Sequence, residues 1–430
     1  MSRSEDSSTF PEPVEGPVEG PGEGQAVGPV EVGAVAHGGH CVARLDVGDG
    51  GPGRVVFVRH ALPGERVLVT LTDTSHDRFW RGDATEVLEA SPDRVVPPCP
   101  VAGPGLCGGC DWQHAGLPAQ RALKTAVVAE QLERLAGIDW DGSVEAVPVP
   151  GATDDDGLGW RTRMRYHADG EGRPGLRKHR SHDLVVVPDG GCPIAAPVTP
   201  TVVERRWRPG AELVAAGTPT GSALLVDRRA EVTGDAFPDG GLTEVVRGRA
   251  YAVPPDGFWQ VHPAAADVLV GAVLDGLQPR AGERAFDLYG GVGLFAGALV
   301  DAGCQVWGLE SGRAAVAAAR RNLADAGKQA RFTADRVERG LARLPGSVDL
   351  VVLDPPRTGA GARVVREVLA RRPRAVAYVA CDPAALARDL ATAAQHGYEA
   401  VSIRGFDLFP MTQHVEAVAV LSASASLRRA

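Results

Sequence analysis

The sequence predicts an α/β fold whose last part is a doubly wound parallel sheet, preceded by an OB-like β-barrel and a central α+β region. From about residue 263, short apolar runs ending in Gly, an acidic residue or Pro alternate with helical stretches. This alternation is the βαβα pattern of a parallel sheet. Short alternating runs separated by Gly, Pro and Asp predict the barrel. The predicted parts are a tail at 1–28, the barrel at 29–90, the central region at 91–262 and the C-terminal sheet at 263–430.

The composition is that of a folded globular chain. The protein has 430 residues, which predicts two to four domains, and its 44% hydrophobic and 23% charged residues exclude a disordered or collagen-like chain. No apolar run is long enough for a membrane span, and the N-terminus lacks the apolar core of a secretory signal. We therefore expect a cytoplasmic protein with no membrane partner, and we expect a monomer.

The acidic excess is concentrated at the N-terminus. The net charge of −9 argues weakly against a nucleic-acid partner, but residues 1–29 contain six acidic residues and a single arginine. The repeated Pro, Glu, Val and Gly of this segment cannot bury enough apolar surface to fold, so we expect a disordered acidic tail. Local basic patches therefore say more about partners than the total charge does. The barrel is of a type that commonly binds nucleic acid, with a purely scaffolding role as the alternative.

The central region begins with a cysteine cluster. Cys99, Cys107 and Cys110 lie close together and Cys192 follows much later, whereas the other three of the seven cysteines are dispersed. An odd count without a signal sequence favours metal binding or catalysis over disulfides. Four thiolates suit a [4Fe–4S] cluster or tetrahedral zinc, and spacing does not separate the two; free, reduced cysteines are the remaining alternative. The two glycines between Cys107 and Cys110 would let the chain wrap closely around a cluster.

The rest of the central region combines a helix at 117–137 with strands that carry basic and aromatic residues. In GWRTRMR, arginines at every second position would share one strand face and neutralise phosphates, and GLRKHRSHD adds further basic residues. Phe258 or Trp259 could stack on an unpaired base. A solvated charged face and core aromatic residues are the alternatives. The predicted RNA-binding residues are Arg161, Arg163, Arg165 and Phe258.

The first C-terminal strand leads into a glycine-rich turn that predicts a cofactor site. In AFDLYGGVGLFAGALV, Asp287 lies at the end of the apolar run and three glycines precede a helix. Such glycines let the backbone pass close to a ligand at a helix N-terminus. Glu310 ends the next strand, where an acidic residue accepts hydrogen bonds from ribose hydroxyls. With Asp335 at the third strand end and no clean G-x-G-x-x-G, the pattern favours S-adenosylmethionine (SAM) over NAD.

Two further strand ends carry groups that could react. Asp354 ends the fourth strand and Cys381 follows the fifth, and ligands of open α/β sheets bind outside these carboxyl ends. A thiolate that adds to C6 of uracil enables C5 to attack a sulfonium methyl, after which a base must remove the C5 proton. Cys381 would be this nucleophile and Glu416, at the start of the last predicted strand, this base. Taken singly, a buried cysteine and a solvated glutamate are the commoner explanations.

These motifs resemble the SAM-dependent RNA 5-methyluridine methyltransferases, in particular an rRNA branch with an iron–sulfur cluster. The resemblance covers about residues 29–421. It rests on a TRAM-type barrel, the four clustered cysteines, GWRTRMR, GFWQVHP, FDLYGGVG, LDPPRTG, YVACDPAALARDL and FPMTQHVE. The chain departs from the family at His262 and Asp382, where Asn is usual, and both departures bear on the geometry around the target base.

The resemblance implies a role for each matching residue. It implies a Rossmann-like class I methyltransferase domain with Cys381 as nucleophile and Glu416 as general base. It favours an iron–sulfur cluster over zinc on Cys99, Cys107, Cys110 and Cys192. It also implies SAM contacts from Gln260, Tyr289, Glu310 and Asp335, with Asp354 near the target base. Together with the glycine turn, the predicted cofactor-binding residues are Gln260, Asp287, Tyr289, Gly291, Gly293, Glu310, Asp335 and Asp354.

The expected reaction is methyl transfer from SAM to C5 of a uridine in RNA, with 23S rRNA as the expected target. The resemblance favours rRNA over tRNA because the cysteine set belongs to the rRNA branch. The same chemistry on a tRNA uridine is one alternative. A catalytically silent RNA-binding protein is another, and the presence of both Cys381 and Glu416 argues against it.

Overall fold

The computed structural model describes residues 21–48, 51, 53–152, 156–234 and 241–424. The predicted acidic tail lies outside these ranges up to residue 20. Within the described ranges, no helix combines the length and the apolar character needed to cross a bilayer.

The N-terminal part is a closed five-stranded barrel. Its strands follow the order β1-β2-β3-β5-β4 around the barrel, and β3 and β5 form the one parallel pair. Alternating valines fill the interior, among them Val56 and Val58 at no more than 1% exposure. The first strand begins three residues before the predicted boundary. The strands are β1 (Ala26–Ala36), β2 (His40–Leu45), β3 (Arg54–Arg59), β4 (Arg66–Asp73) and β5 (Phe79–Glu89).

The central part contains a long helix and a six-stranded sheet. The helix α1 (Leu117–Ala136) has Pro in its first turn and ends at Gly137 in the left-handed conformation, φ 65°, which explains its predicted length. The sheet has the order β12-β11-β10-β7-β8-β9, and β13 and β14 form a separate hairpin. The strands are β6 (Val144–Ala146), β7 (Arg163–Ala168), β8 (Pro174–Arg177), β9 (Leu184–Val186), β10 (Glu212–Thr218), β11 (Gly221–Val226), β12 (Arg229–Gly234), β13 (Leu242–Val246) and β14 (Arg249–Val253).

The C-terminal part confirms the predicted α/β fold. Its strands are β15 (Arg284–Leu288), β16 (Gln305–Glu310), β17 (Ala330–Ala334), β18 (Leu350–Leu353), β19 (Ala375–Ala380), β20 (Tyr398–Asp407) and β21 (Glu416–Ala423). Its helices are α2 (Ala265–Leu277), α3 (Leu294–Asp301), α4 (Arg313–Asn322), α5 (Val337–Gly340), α6 (Gly361–Leu369) and α7 (Pro383–Gln395).

The C-terminal sheet is mixed rather than wholly parallel. Its order is β17-β16-β15-β18-β19-β21-β20-β6. The strands from β15 to β19 are parallel, whereas β21 runs antiparallel to both of its neighbours. Because β21 is reversed, its first residues lie at the edge where the parallel strands end. The edge strand β6 comes from the central region, so the sheet crosses the predicted boundary at residue 262.

A buried ion pair attaches α1 to the loop between β20 and β21. Lys124 Nζ lies 2.5 Å from Asp407 Oδ1, and the two side chains are 0% and 2% exposed. The same ammonium donates to the carbonyl of Phe409 at 3.0 Å. One turn earlier in α1, the Gln120 side chain accepts from the Met411 amide at 2.8 Å. These contacts fix the path of the loop that leads into β21.

Candidate active site

Cys381 and Glu416 lie side by side where β19 ends and β21 begins. In the antiparallel pairing of these strands Ala380 lies opposite Ala417. Extending this register by one residue brings Cys381 opposite Glu416, and side chains so opposed have Cβ atoms about 4.5–5.5 Å apart. Cys381 is partly buried and Glu416 is 4% exposed. A thiol and a carboxyl therefore face one spot at the carboxyl edge of the sheet.

Burial and neighbouring carboxylates raise the pKa of both groups. Burial raises the pKa of the Cys381 thiol to about 11, and the Glu416 carboxylate adds to the rise. Burial also holds the pKa of Glu416 well above its usual range, and the neighbouring Asp354 carboxylate raises it further. The Arg357 guanidinium lowers the pKa of both groups. Arg357 is therefore the cation that favours the reactive, charged forms.

The Asp-Pro-Pro-Arg loop reaches Cys381 and Glu416 from β18. The amide of Asp354 donates to the carbonyl of Leu288 at 3.2 Å, which fixes the start of this loop beside β15. Burial and the nearby Asp287 raise the pKa of the Asp354 carboxyl to about 7. At the other end of the loop, Arg357 Nη2 donates to His414 Nε2 at 3.1 Å. The loop is thus tied both to the cofactor strand and to the segment that precedes Glu416.

The glycine turn after β15 surrounds a carboxylate with one unsatisfied oxygen. Asp287 is 0% exposed, and its Oδ2 accepts from the Ala296 amide at 3.0 Å, whereas its Oδ1 has no hydrogen-bond partner. A Cβ at Gly290 would lie 2.9 Å from Asp287 Oδ2, but one at Gly291 would meet nothing within 4 Å. The turn therefore passes close to the carboxylate and leaves open space beside Gly291. A ligand that donates a hydrogen bond fits this arrangement.

The remaining predicted cofactor residues surround this turn to different degrees. Glu310 Oε2 accepts from the Gly291 amide at 3.3 Å, which holds its carboxylate beside the turn. Tyr289 adopts φ 64° and Gly293 φ 92° within the turn. The Asp335 amide donates to the Glu310 carbonyl at 3.0 Å, but its carboxylate forms ion pairs with Arg339 and Arg343. Gln260 is 8% exposed and comes from a separate segment between β14 and α2.

The four clustered cysteines line one cavity. This cavity has a volume of about 160 Å³, and its lining combines apolar side chains with Gln113, Arg161, Arg165 and the four cysteines Cys99, Cys107, Cys110 and Cys192. Burial raises the pKa of Cys110 to about 12 and that of Cys192 to about 11, and negative charge on one thiol raises the pKa of its neighbours. Among the residues that the structure describes, no three or more Cys, His, Asp or Glu side chains are arranged to hold a metal ion.

The cysteine loop packs directly on the basic hairpin between β8 and β9. The amide of Gly108 donates to the Arg177 carbonyl at 3.0 Å, and Cys107 forms an isolated bridge with Lys178. A Cβ at Gly108 would lie 2.6 Å from the backbone nitrogen of His179. The glycine at this position is therefore required by the hairpin, a reason that the sequence did not reveal.

The predicted RNA-binding residues do not share one exposed face. The Arg163 side chain is 9% exposed, and its guanidinium donates to the carbonyls of Pro255 and Gly257. Arg161 and Arg165 both line the cysteine cavity, so the three arginines do not form one exposed phosphate-binding face. Arg163 is instead covered by the segment after β14, whose carbonyls accept its hydrogen bonds. Arg165, at 55% exposure and paired with Glu212, is the most exposed of the three.

The two candidate stacking residues separate clearly. Phe258 is 73% exposed, whereas Trp259 is 5% exposed and packs against Tyr251 with ring centroids 5.6 Å apart. Trp259 is thus a core residue, and Phe258 is the one available to a base.

One basic surface was missed from the sequence. Arg205, Arg206, Arg208 and Arg229 line a shallow concavity around Trp207, and Arg205 stacks on the indole with 4.0 Å between its Cζ and the ring centroid. All four arginines are exposed. The run ERRWRPG carries the signal for this surface, which we call the arginine surface.

Comparison with known proteins identifies the family of the chain. Residues 241–424 match the family model described as tRNA (Uracil-5-)-methyltransferase, and residues 24–85 match the TRAM domain model. A Streptomyces avermitilis protein, named an uncharacterized RNA methyltransferase, is 49% identical and covers 92% of this chain and 98% of its own. A Bifidobacterium longum protein of the same description is 39% identical over 91% of this chain and 96% of its own.

The overall fold has a solved counterpart. The Pyrococcus abyssi tRNA (uracil-54, C5)-methyltransferase, in complex with S-adenosyl-L-homocysteine, matches with a TM-score of 0.66 and 22% identity, over 91% of this chain and 99% of that one. At this identity the match establishes a shared fold. Together with the long relatives and the two domain models, it leads to one conclusion: the chain belongs to the TRAM-containing, SAM-dependent RNA methyltransferases of the uracil-5 family.

Proposed function

We propose that the protein transfers a methyl group from SAM to C5 of a uridine in RNA through a covalent bond between Cys381 and C6 of the base. The observation that carries this proposal is the register of β19 and β21, which pairs Ala380 with Ala417 and so brings the adjoining Cys381 and Glu416 close enough for Glu416 to raise the pKa of the thiol. A catalytically silent RNA-binding protein would have no use for a thiol and a buried carboxyl at one spot.

Each residue of the pair answers one chemical need. C5 of uracil is a poor nucleophile, and addition of the Cys381 thiolate to C6 moves the C5–C6 electron pair into an enolate. Bound SAM would supply an electrophilic methyl group. Once C5 carries this methyl group, the Glu416 carboxylate takes the C5 proton, the double bond forms again and the bond between sulfur and C6 breaks. The thiolate is regenerated, and Glu416 then carries the C5 proton, which it must release to solvent before the next turnover.

The raised pKa of the thiol sets a condition on this sequence. With a pKa of about 11, the Cys381 thiol must lose a proton before it attacks, and the raised pKa of Glu416 favours its taking up the C5 proton. Arg357 lowers the pKa of both, and we assign it this activating role. Because the thiol is only partly buried, it can release its proton to solvent before the target uracil covers it.

The cofactor would be held by the turn after β15. We assign the unsatisfied Oδ1 of Asp287 to a hydrogen-bond donor of SAM and the Glu310 carboxylate to its ribose hydroxyls. Backbone next to Gly291 and Gly293 would approach the ligand closely. In this assignment Asp335 faces the adenine, Tyr289 and Gln260 complete the enclosure, and Asp354 lies between the methyl donor and the target base.

The RNA would contact several parts of the chain. Support comes from the TRAM barrel, the exposed Phe258, the exposed Arg165 and the arginine surface. We propose 23S rRNA as the target, because the four-cysteine set resembles the rRNA branch. The name of the matched family model favours tRNA uridine as the second candidate. We propose a monomer, because all these groups come from a single chain. We also propose a cytoplasmic location, because cysteines without disulfide bonds suit a reducing compartment.

We further propose that Cys99, Cys107, Cys110 and Cys192 hold a [4Fe–4S] cluster. The shared cavity supports a common ligand. Tetrahedral zinc needs four sulfurs about 2.3 Å from one point, whereas a four-iron cluster binds each cysteine to a different iron and tolerates sulfurs further apart. Because the cysteine loop pairs with the basic hairpin, such a cluster would stiffen that hairpin for RNA. Anaerobically purified protein should then contain iron and sulfide, and Cys192→Ser should lose both while the distant Cys304→Ala keeps them.

RNA containing 5-fluorouridine tests the reaction itself. Fluorine at C5 leaves no proton for Glu416 to remove, so a methylated, covalent protein–RNA adduct should accumulate and survive denaturation. Cys381→Ala should form none. Mapping 5-methyluridine in RNA from a deletion strain would identify the target and separate rRNA from tRNA. If no adduct formed and the deletion strain lost no 5-methyluridine, the proposed reaction would be contradicted.

A further inference from the structure

The turn between β1 and β2 of the barrel reaches into the catalytic edge of the C-terminal sheet. The carbonyl of Gly39 accepts from the Trp112 indole at 3.1 Å. A Cβ at Gly39, where φ is 79°, would lie 2.6 Å from the Cβ of Gln413. The turn is thus pressed against the loop that leads to Glu416, closely enough that only glycine fits there.

The same turn also contacts the segment that carries the nucleophile. His37 Nε2 lies 3.0 Å from Oδ2 of Asp382, the residue directly after Cys381. The other carboxylate oxygen of Asp382 accepts from the Ala385 amide at 2.7 Å and caps α7. The carboxylate of Asp382, the residue directly after Cys381, therefore joins the first turn of α7 to the barrel.

We propose that the barrel turn is part of the catalytic apparatus, in which His37 acts as a positioning residue that holds Asp382 and thereby aligns Cys381 with Glu416. The inference rests on the proposed function of that pair. Cys381 lies between the last residue of β19 and the first turn of α7, so its position depends on how this short connection is held. Addition to C6 requires close alignment, and a displacement of about 1 Å can cost about 100-fold in rate.

This arrangement gives the barrel a role beyond holding RNA. The two loops that carry the reacting residues meet the same turn, Asp382 through His37 and Gln413 through Gly39. The side chains of His37 and Asp382 are 37% and 21% exposed, so a substitution at His37 removes the contact without creating a cavity in the core. Its contribution should therefore appear in the rate of the chemical step rather than in overall folding.

The test is a set of histidine variants measured under single-turnover conditions. His37→Ala should slow methylation and 5-fluorouridine adduct formation about 10-fold, within the range that misalignment produces, and should leave the dissociation constant for RNA within twofold. His37→Gln can still donate to the carboxylate and should recover most of the rate. Asp382→Asn can still cap α7 through its one oxygen but presents an amide NH2 to His37 in place of the Oδ2 acceptor, and should slow the chemical step while α7 stays capped. The matched control is His76→Ala, since His76 pairs with Asp73 elsewhere in the same barrel.

Hydrogen exchange measures the positioning without depending on the reaction. The amides at the start of α7, Ala385 and Leu386, should exchange several-fold faster in His37→Ala than in the native protein or in His76→Ala. Native single-turnover rates together with unchanged exchange in His37→Ala would overturn the inference. So would a rate loss matched by an equal loss of RNA affinity. A native protein that forms no adduct would refute the proposed function instead, and the exchange result would still decide the role of His37.

Discussion

Replacing Glu416 with glutamine should separate formation of the covalent bond from its release. Glutamine has the shape of the neutral carboxyl and cannot accept the C5 proton. Cys381 should still add to C6 and C5 should still be methylated, but elimination should stall. The expected result is a protein–RNA adduct on ordinary uridine RNA, without fluorine at C5.

The size of the effect follows from the burial of Glu416. A positioned general base contributes about 10²- to 10⁴-fold, which corresponds to about 3–5 kcal/mol of barrier. Because the side chain is 4% exposed, solvent has little access to replace it as a base. We therefore expect the rate of multiple-turnover methylation to fall by a factor in the upper part of this range.

The substitution should not unfold the protein. Glu416 has a pKa raised in the folded state, so the native form binds more protons than the unfolded form above the ordinary glutamate pKa. Its contribution to stability is full at low pH and declines as pH rises towards the folded-state pKa. Glutamine removes this decline, and the variant should be at least as stable as the native protein at neutral pH.

Denaturing gels of radiolabelled RNA provide the assay. The adduct should appear in Glu416→Gln, disappear when Cys381→Ala is added, and be absent in Glu399→Gln, a control at an exposed glutamate of the neighbouring strand. Turnover within about threefold of the native rate, with no adduct, would refute the assignment of Glu416 as the base.

Three further changes test other parts of the structure. Arg357→Gln should raise the pKa of the Cys381 thiol above about 11, since Arg357 lowers it in the native protein; alkylation rates against pH should shift upward, and an unchanged profile would remove Arg357 from the site. Lys124→Met leaves Asp407 buried without its cation and should cost about 3–5 kcal/mol of unfolding free energy, measured in urea; a loss below about 1 kcal/mol would contradict the buried pair. Arg206→Ala should reduce the slope of log affinity against log salt by about 0.7–0.9, whereas an unchanged slope would show that RNA does not reach the arginine surface.

The sequence predicted the common position of Cys381 and Glu416 better than the contacts around them. Cys381 follows a buried strand, and the carboxyl ends of parallel strands share one edge, so its position follows from the pattern. Glu416 reaches the same edge for a different reason, because β21 runs antiparallel and therefore starts there. An apolar run does not reveal the direction of a strand, so only the motif that surrounds Glu416 indicated that this residue lies at the edge.

What the sequence left open concerns contacts between distant segments. Alternation places Arg161, Arg163 and Arg165 on one strand face, but the segment that covers Arg163 comes after β14, far along the sequence. The sequence also left open whether Trp259 is a core residue, and in the structure it packs against Tyr251. The contact between His37 and Asp382 joins the barrel to the catalytic sheet, and no local pattern announces it.

The edge strand β6 has a consequence for how the protein can be divided. A fragment that starts at residue 241, where the family model begins, would lack both α1 and β6. Gly405–Asp407 of β20 would then offer unpaired amides and carbonyls to other copies, and the Asp407 carboxylate would lose its only buried cation among the described contacts. The methyltransferase domain is thus discontinuous along the chain. A unit that folds alone or is transferred to another protein would need the upstream segment that closes its sheet.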